Sequence, residues 1–132
     1  MKQITQEWLD KGEGDFTTAL RELRARKSPN YDACCFHAQQ CVEKYLKADL
    51  QERDIPFERV HHLTLLLDKL LPVNPMLELL RSDLQSLNQF AVEFRYPGEC
   101  ADKELAGQAV RICKRIRIIL RAELGLETGL NP

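Results

Sequence analysis

Leu77, Leu80, Leu84, Leu87, Ala91 and Phe94 recur at steps of three and four residues, which lays one apolar line along a single helix face. A helix striped in this way is stable only when that face is covered, so the rest of the chain must supply elements that pack on it. Asn74 offers a cap with Pro75 at the first helical position, and Pro97-Gly98 stops the helix, since proline lacks the amide hydrogen the next turn needs.

The covering elements read as helices too. Trp8, Gly12, Phe16, Leu20 and Leu23 form one face of a first helix. Gly12 and Gly14 each cost about 1 kcal/mol relative to alanine there, and so mark close approach by another backbone or local fraying. Ser28-Pro29-Asn30 supplies a cap and a first-turn proline for a second helix from Tyr31 to Arg53, which Ile55-Pro56-Phe57 ends. Leu63, Leu66, Leu67 and Leu70 give a short third helix closed by Pro72 and Pro75. Asp102 caps a fifth, with Leu105, Ala109, Ile112, Ile116 and Leu120 as its buried stripe. No stretch joins β-branched alternation to hairpin turns, so the expected fold is all-α, an up-and-down bundle of about five helices. It forms one domain over residues 1–124, followed by a fraying tail over 125–132.

A chain of 132 residues can bury one core, and 44% hydrophobic with 30% charged residues is ordinary for a globular protein. No apolar run approaches the ~18–20 residues that span a bilayer, and Met1–Glu7 lacks the apolar stretch of a secretory signal. The expected location is the cytoplasm, with no membrane contact. Cys34, Cys35, Cys41, Cys100 and Cys113 form an odd set without a C-x-x-C pair, four of them in helical patterns or at their edges. They read as reduced thiols packing as small apolar groups, not as zinc ligands or a disulfide framework.

Three constellations carry polar chemistry. On the second helix His37, Gln40, Lys44 and Lys47 fall at steps of three, four and three, sharing one face while Cys34, Ala38, Cys41 and Tyr45 turn inward. That face is either solvated surface or one wall of a pocket for an anion, with the lysines as point charges for phosphate and Gln40 as a base or ribose partner. Arg95 closes the fourth helix, where it either complements the terminal carbonyls or holds a phosphate bidentately while Tyr96 stacks on a base. His61-His62 precede the third helix as capping or pairing imidazoles, since no Cys, Asp or Glu stands at metal-ligand spacing beside them. The net charge of −1 gives no global pull toward nucleic acid, yet the last helix carries Lys103, Arg111, Lys114, Arg115, Arg117 and Arg121 against Glu104 and Glu123. Its stripe of Lys114, Arg117 and Arg121 reads as solubilising surface or as a face for RNA, DNA or an acidic partner.

Phe36-His37-Ala38-Gln39-Gln40-Cys41-Val42-Glu43-Lys44-Tyr45-Leu46-Lys47-Ala48, Val60-His61-His62-Leu63 and Arg95-Tyr96-Pro97 together resemble the HEPN family, the higher eukaryotes and prokaryotes nucleotide-binding domain. The resemblance spans nearly the whole chain and implies a compact bundle of about five helices that dimerises. In many prokaryotic members it implies pairing with a minimal nucleotidyltransferase in a toxin–antitoxin or stress-response unit. Other members are metal-independent ribonucleases in which an Arg is followed after four to six residues by a His, a pair suited to acid–base work on a phosphodiester. This chain departs from that pattern: His37, His61 and His62 all precede Arg95, and Arg95-Tyr96-Pro97-Gly98-Glu99-Cys100-Ala101 offers no imidazole. His62 also stands where relatives often carry an acid. The expected protein is therefore a homodimer that binds a nucleotide such as ATP, or another phosphate-bearing ligand, through Arg95, Tyr96, His37, Gln40, Lys44 and Lys47, without metal or cofactor. A ribonuclease using His37 with Arg95, and a ligand-free dimerisation or interaction module presenting Leu79, Phe90 and Ile118, are the alternatives.

Overall fold

A computed structural model of the chain describes residues 1–93 and 97–128 and shows, among them, helices and no strand. The helices are α1 Gln3–Arg24, α2 Tyr31–Glu52, α3 Leu63–Leu70, α4 Arg81–Glu93 and α5 Lys103–Glu123, with a 3-10 segment, Pro75–Leu80, leading into α4. The all-α architecture and the helix order follow the periodicity. The start of the fourth helix differs, because it winds as 3-10 before becoming α; the Leu77-to-Leu80 step of three fits three residues per turn, and both side chains still reach the core.

α2 is the central element, packed along α1 and α5 and touching α3 and α4. Its line of Cys34, Ala38, Cys41 and Tyr45 is fully buried, as its spacing predicts. Thiols and alanines keep most of that line thin, so neighbouring backbones come close. Gly12 does the same from the α1 side: a Cβ there would meet the Lys44 Cβ and the Tyr45 Cδ2 at 3.4 Å each, whereas one at Gly14 would meet nothing. The buried line of α1 is Thr5, Leu9, Gly12, Asp15 and Ala19, not the expected Trp8, Phe16, Leu20 and Leu23. Those bulkier side chains do not fit a seam narrow enough to need glycine, and they lie half-buried along its edges.

The helix ends fix the loops that matter later. Asn30, not Ser28, caps α2 by accepting the Ala33 amide at 3.0 Å, which leaves Pro29 ahead of the helix instead of in its first turn. Asn74 and Asp102 cap as expected, accepting from the amides of Met76 at 3.2 Å and Leu105 at 2.8 Å. At the far end of α2, Asp54 takes a left-handed φ of 57° and the Ile55 amide reaches back to the Leu50 carbonyl at 2.9 Å. Glu52 accepts the Lys2 amide at 3.0 Å and the Thr5 hydroxyl at 2.9 Å, which pins the start of α1 beside that turn. The described part of the tail is also held: Gly125, at φ 72°, ends α5, the Leu126 amide returns to the Arg121 carbonyl at 2.8 Å, and Leu126 packs against the core.

Candidate functional site

The face shared by His37, Gln40, Lys44 and Lys47 divides into two clusters, each built on a carboxylate. On the α1 side Asp15, largely buried, accepts from His37 Nδ1 at 2.8 Å and from the Lys44 ammonium. On the α3 side Glu43, 2% exposed, accepts from Lys47 Nζ at 3.0 Å and from His61 Nδ1 at 3.2 Å. Lys47 is itself buried and its ammonium lies 5.4 Å from the centre of the Trp8 ring. The face is therefore not a row of free cations; each lysine already has a counter-ion, because charge removed from water is stable only when paired.

Glu43 organises its surroundings further. Its Oε1 faces the Nε2 groups of Gln39 at 3.3 Å and Gln40 at 3.5 Å. Gln39 Nε2 also reaches the His61 carbonyl at 3.1 Å and Asn88 Oδ1 at 3.4 Å, while Gln39 Oε1 accepts from Gln40 Nε2 at 2.8 Å. One buried carboxylate thereby ties α2 to the loop before α3 and, through Gln39, to α4. Above it opens a groove of about 180 Å3 into which Gln40, His61, His62 and Asn88 project, walled by Ala91 and Val92. A second groove of about 400 Å3 shares His62, Asn88 and Val92 and continues along α4 past Gln85 and Gln89. His62 Nδ1 lies 2.8 Å from the Thr64 hydroxyl, so its other ring nitrogen is left for the groove.

Of the residues singled out in the sequence, Gln40 lines this groove and Lys47 supports it through Glu43. His37 and Lys44 are held by Asp15 instead. Arg95 and Tyr96 lie outside the described residues; in the chain they follow Glu93, the last residue of α4. Spacing alone did not point to Gln39, Glu43 or Asn88. Gln39 and Glu43 stand within the stretch that carries the family resemblance, but nothing in the sequence marked them off from their neighbours there.

A larger cleft, about 800 Å3, lies between the start of α1 and the loop after α2, floored by Trp8 and Phe57 edge-on at 6.1 Å between ring centres. Its Asp54 is engaged by Lys2 and its Lys47 by Glu43, so it offers mainly apolar and aromatic surface. Among the described residues no group of three or more His, Cys, Asp or Glu could hold a metal ion, and no helix is long and apolar enough to cross a membrane.

The basic stripe on α5 divides as well. Lys114 is exposed, but Arg117 donates from Nε to Glu13 at 2.8 Å and stacks 4.6 Å over the Phe16 ring, and Arg121 donates to the Tyr45 hydroxyl at 2.9 Å. Tyr45 in turn donates to Glu13 at 2.9 Å. Burial pushes the Tyr45 phenol up to about 12. Burial also works to raise the Glu13 carboxyl, yet the hydrogen bonds from Arg117 and Tyr45 outweigh it and hold it below its ordinary 4.5. Two of the three stripe cations thus join α5 to α1 and α2.

The HEPN domain family profile matches residues 5–123, and the chain belongs to that family. The crystal structure of ST0689, an archaeal HEPN homologue, superposes with a TM-score of 0.69 at 23% identity, covering 94% of this chain and 99% of that one, which shows a shared fold. No curated protein matches the sequence.

Proposed function

We propose that this HEPN protein binds a nucleotide, or a closely similar phosphate-bearing ligand, in the groove between α2, the loop before α3, and α4. The observation that carries the proposal is the convergence of Gln40, His61, His62 and Asn88 on one concave site above a buried, fully engaged carboxylate. Polar groups held in place by a rigid support are what recognition of a small polar ligand requires. Arg95 and Tyr96, next in the chain after α4, supply the phosphate fork and the stacking ring in this reading. The protein acts in the cytoplasm as a homodimer, paired with a minimal nucleotidyltransferase in a toxin–antitoxin or stress-response unit, as the family resemblance implies.

The test is calorimetric titration of the purified protein with ATP and GTP, beside His61→Ala and Arg95→Ala. Binding weakened about tenfold or more in each variant, with both still helical, supports the groove. The absence of heat with either nucleotide refutes the reading, and binding unchanged in both variants refutes its location.

A second reading is favoured by one feature, the two imidazoles of His61 and His62 on a single groove, an arrangement suited to acid–base cleavage of RNA without a metal. His37, the histidine first favoured for that role, is held by Asp15. Cleavage of RNA that His61→Ala and His62→Ala each abolish would establish it.

A further inference from the structure

The geometry points to a guanine-type base edge as the feature this groove recognises. The inference rests on the nucleotide reading above and names which base the site selects.

Glu43 as a carboxylate only accepts hydrogen bonds, and so does the main-chain carbonyl of His61. Gln39 Nε2 faces both, at 3.3 Å and 3.1 Å, which fixes which end of that amide is the NH2. Three orientations follow. Gln39 Oε1 takes the Gln40 NH2 at 2.8 Å, so the Gln40 carbonyl oxygen remains as an acceptor. Asn88 Oδ1 lies 3.4 Å from Gln39 Nε2, and the opposite orientation would set one NH2 against another, so the Asn88 NH2 points away and remains as a donor. Glu43 Oε2 faces His61 Nδ1 at 3.2 Å, so Nδ1 is the nitrogen that donates, and Nε2, turned outward, accepts when it carries no proton of its own.

Gln40, His61 and Asn88 all line the groove of about 180 Å3, which has room for a base and little more, while the adjoining groove of about 400 Å3 offers a course for the sugar and phosphate. The polarity presented is two acceptors and one donor. A partner must therefore bring two donors and one acceptor. The Watson–Crick edge of guanine has that set, the N1–H and the 2-amino group beside O6, whereas adenine brings one amino group and one ring acceptor. His62 is the adaptable member, since the Thr64 hydroxyl can either donate to its Nδ1 or accept from it.

The experiment compares GMP, IMP and AMP by calorimetry on the intact protein and on Asn88→Asp. The aspartate still accepts from Gln39 but turns the outward donor into an acceptor. GMP should bind about tenfold or more tightly than AMP, with IMP, which lacks the 2-amino group, between them. In Asn88→Asp that preference should vanish or invert. Gln40→Met, which keeps the side-chain length and removes the acceptor, should narrow it as well and stands in if the aspartate variant fails to fold. Equal or tighter binding of AMP, or a GMP preference unmoved by the variants, overturns the base assignment while leaving nucleotide binding intact. Binding of none of the three overturns both.

Discussion

Glu13→Gln is the substitution whose consequence the structure defines most fully. Glu13 accepts from Arg117, from the Tyr45 hydroxyl at 2.9 Å, and faces Arg121 at 3.7 Å, so a single carboxylate links α1 to α2 and α5. A hydrogen bond to a charged group contributes ~1.5–3 kcal/mol when shielded. Glu13 is 36% exposed and Arg117 is 16% exposed, so screening cuts that figure, and the net loss in Glu13→Gln should be about 1–2 kcal/mol at pH 7. With roughly 0.3 kcal/mol per kelvin of unfolding entropy for 132 residues, the melting temperature should fall by about 4–7 °C. The pH dependence gives the sharper test. The folded carboxyl is held below its ordinary 4.5, so its contribution is complete above that value and is lost as pH falls through the folded pKa. Denaturation of wild type and variant should show a gap at pH 7 and pH 5 that shrinks as pH falls below 4.5. A gap that stays constant as the pH is lowered would mean that glutamine disturbs packing, not charge, and no gap at pH 7 would mean that the Glu13 cluster does not clamp the helices.

Gly14→Ala, with open space around its new Cβ, should raise stability by about 1 kcal/mol in thermal melts, while Gly12→Leu, wedged against Lys44 and Tyr45, should lower it by about 1–3 kcal/mol. Burial raises the Asp49 carboxyl above its ordinary 3.8, and its Oδ2 has no partner, so the folded state disfavours its charge and stability drops as pH rises through the folded pKa. Asp49→Asn, still accepting from Arg53, should equal or exceed wild type in stability at pH 7, with the difference gone below about pH 4; a clear loss at pH 7 would contradict this account. A thiol reagent should titrate Cys100 alone in the folded protein and all of Cys34, Cys35, Cys41, Cys100 and Cys113 after unfolding, because burial drives Cys34 to about 12 and Cys35 to about 11. Glu43→Gln leaves the Lys47 ammonium buried without its counter-ion and should cost about 3–5 kcal/mol in chemical denaturation, much of it restored by adding Lys47→Met.

The helices were legible because their signals are local. Steps of three and four among leucines, a capping Asn or Asp, and proline breaks each act within one or two turns, and α2, α3 and α5 begin and end close to where those signals stand. What failed was the choice of buried line on α1. Trp8, Phe16 and Leu20 are the more hydrophobic positions, but the seam is set by the distance between helix axes, and that distance depends on Gly12 meeting Lys44 and Tyr45 across the interface. Helical periodicity gives the direction of a face and not how near its neighbour comes.

The candidate site failed to show in the sequence for a related reason. Spacing along α2 correctly puts His37, Gln40, Lys44 and Lys47 on one side, yet the charge available on a face depends on what other elements bring to it. Asp15 arrives from α1 and takes up Lys44, and Glu43 on the same helix is buried, faces His61 from the loop before α3 and takes up Lys47. Both lysines are thereby paired with carboxylates of the chain itself. The groups left facing the groove are amides and imidazoles, and the donor or acceptor sense of the amides is dictated by the buried Glu43 carboxylate. The base preference of the site should then depend on the amides, and the phosphate contribution should come from Arg95, which follows α4 in the chain. Arg95→Ala should then weaken GMP and AMP by the same factor, and Asn88→Asp should change their ratio.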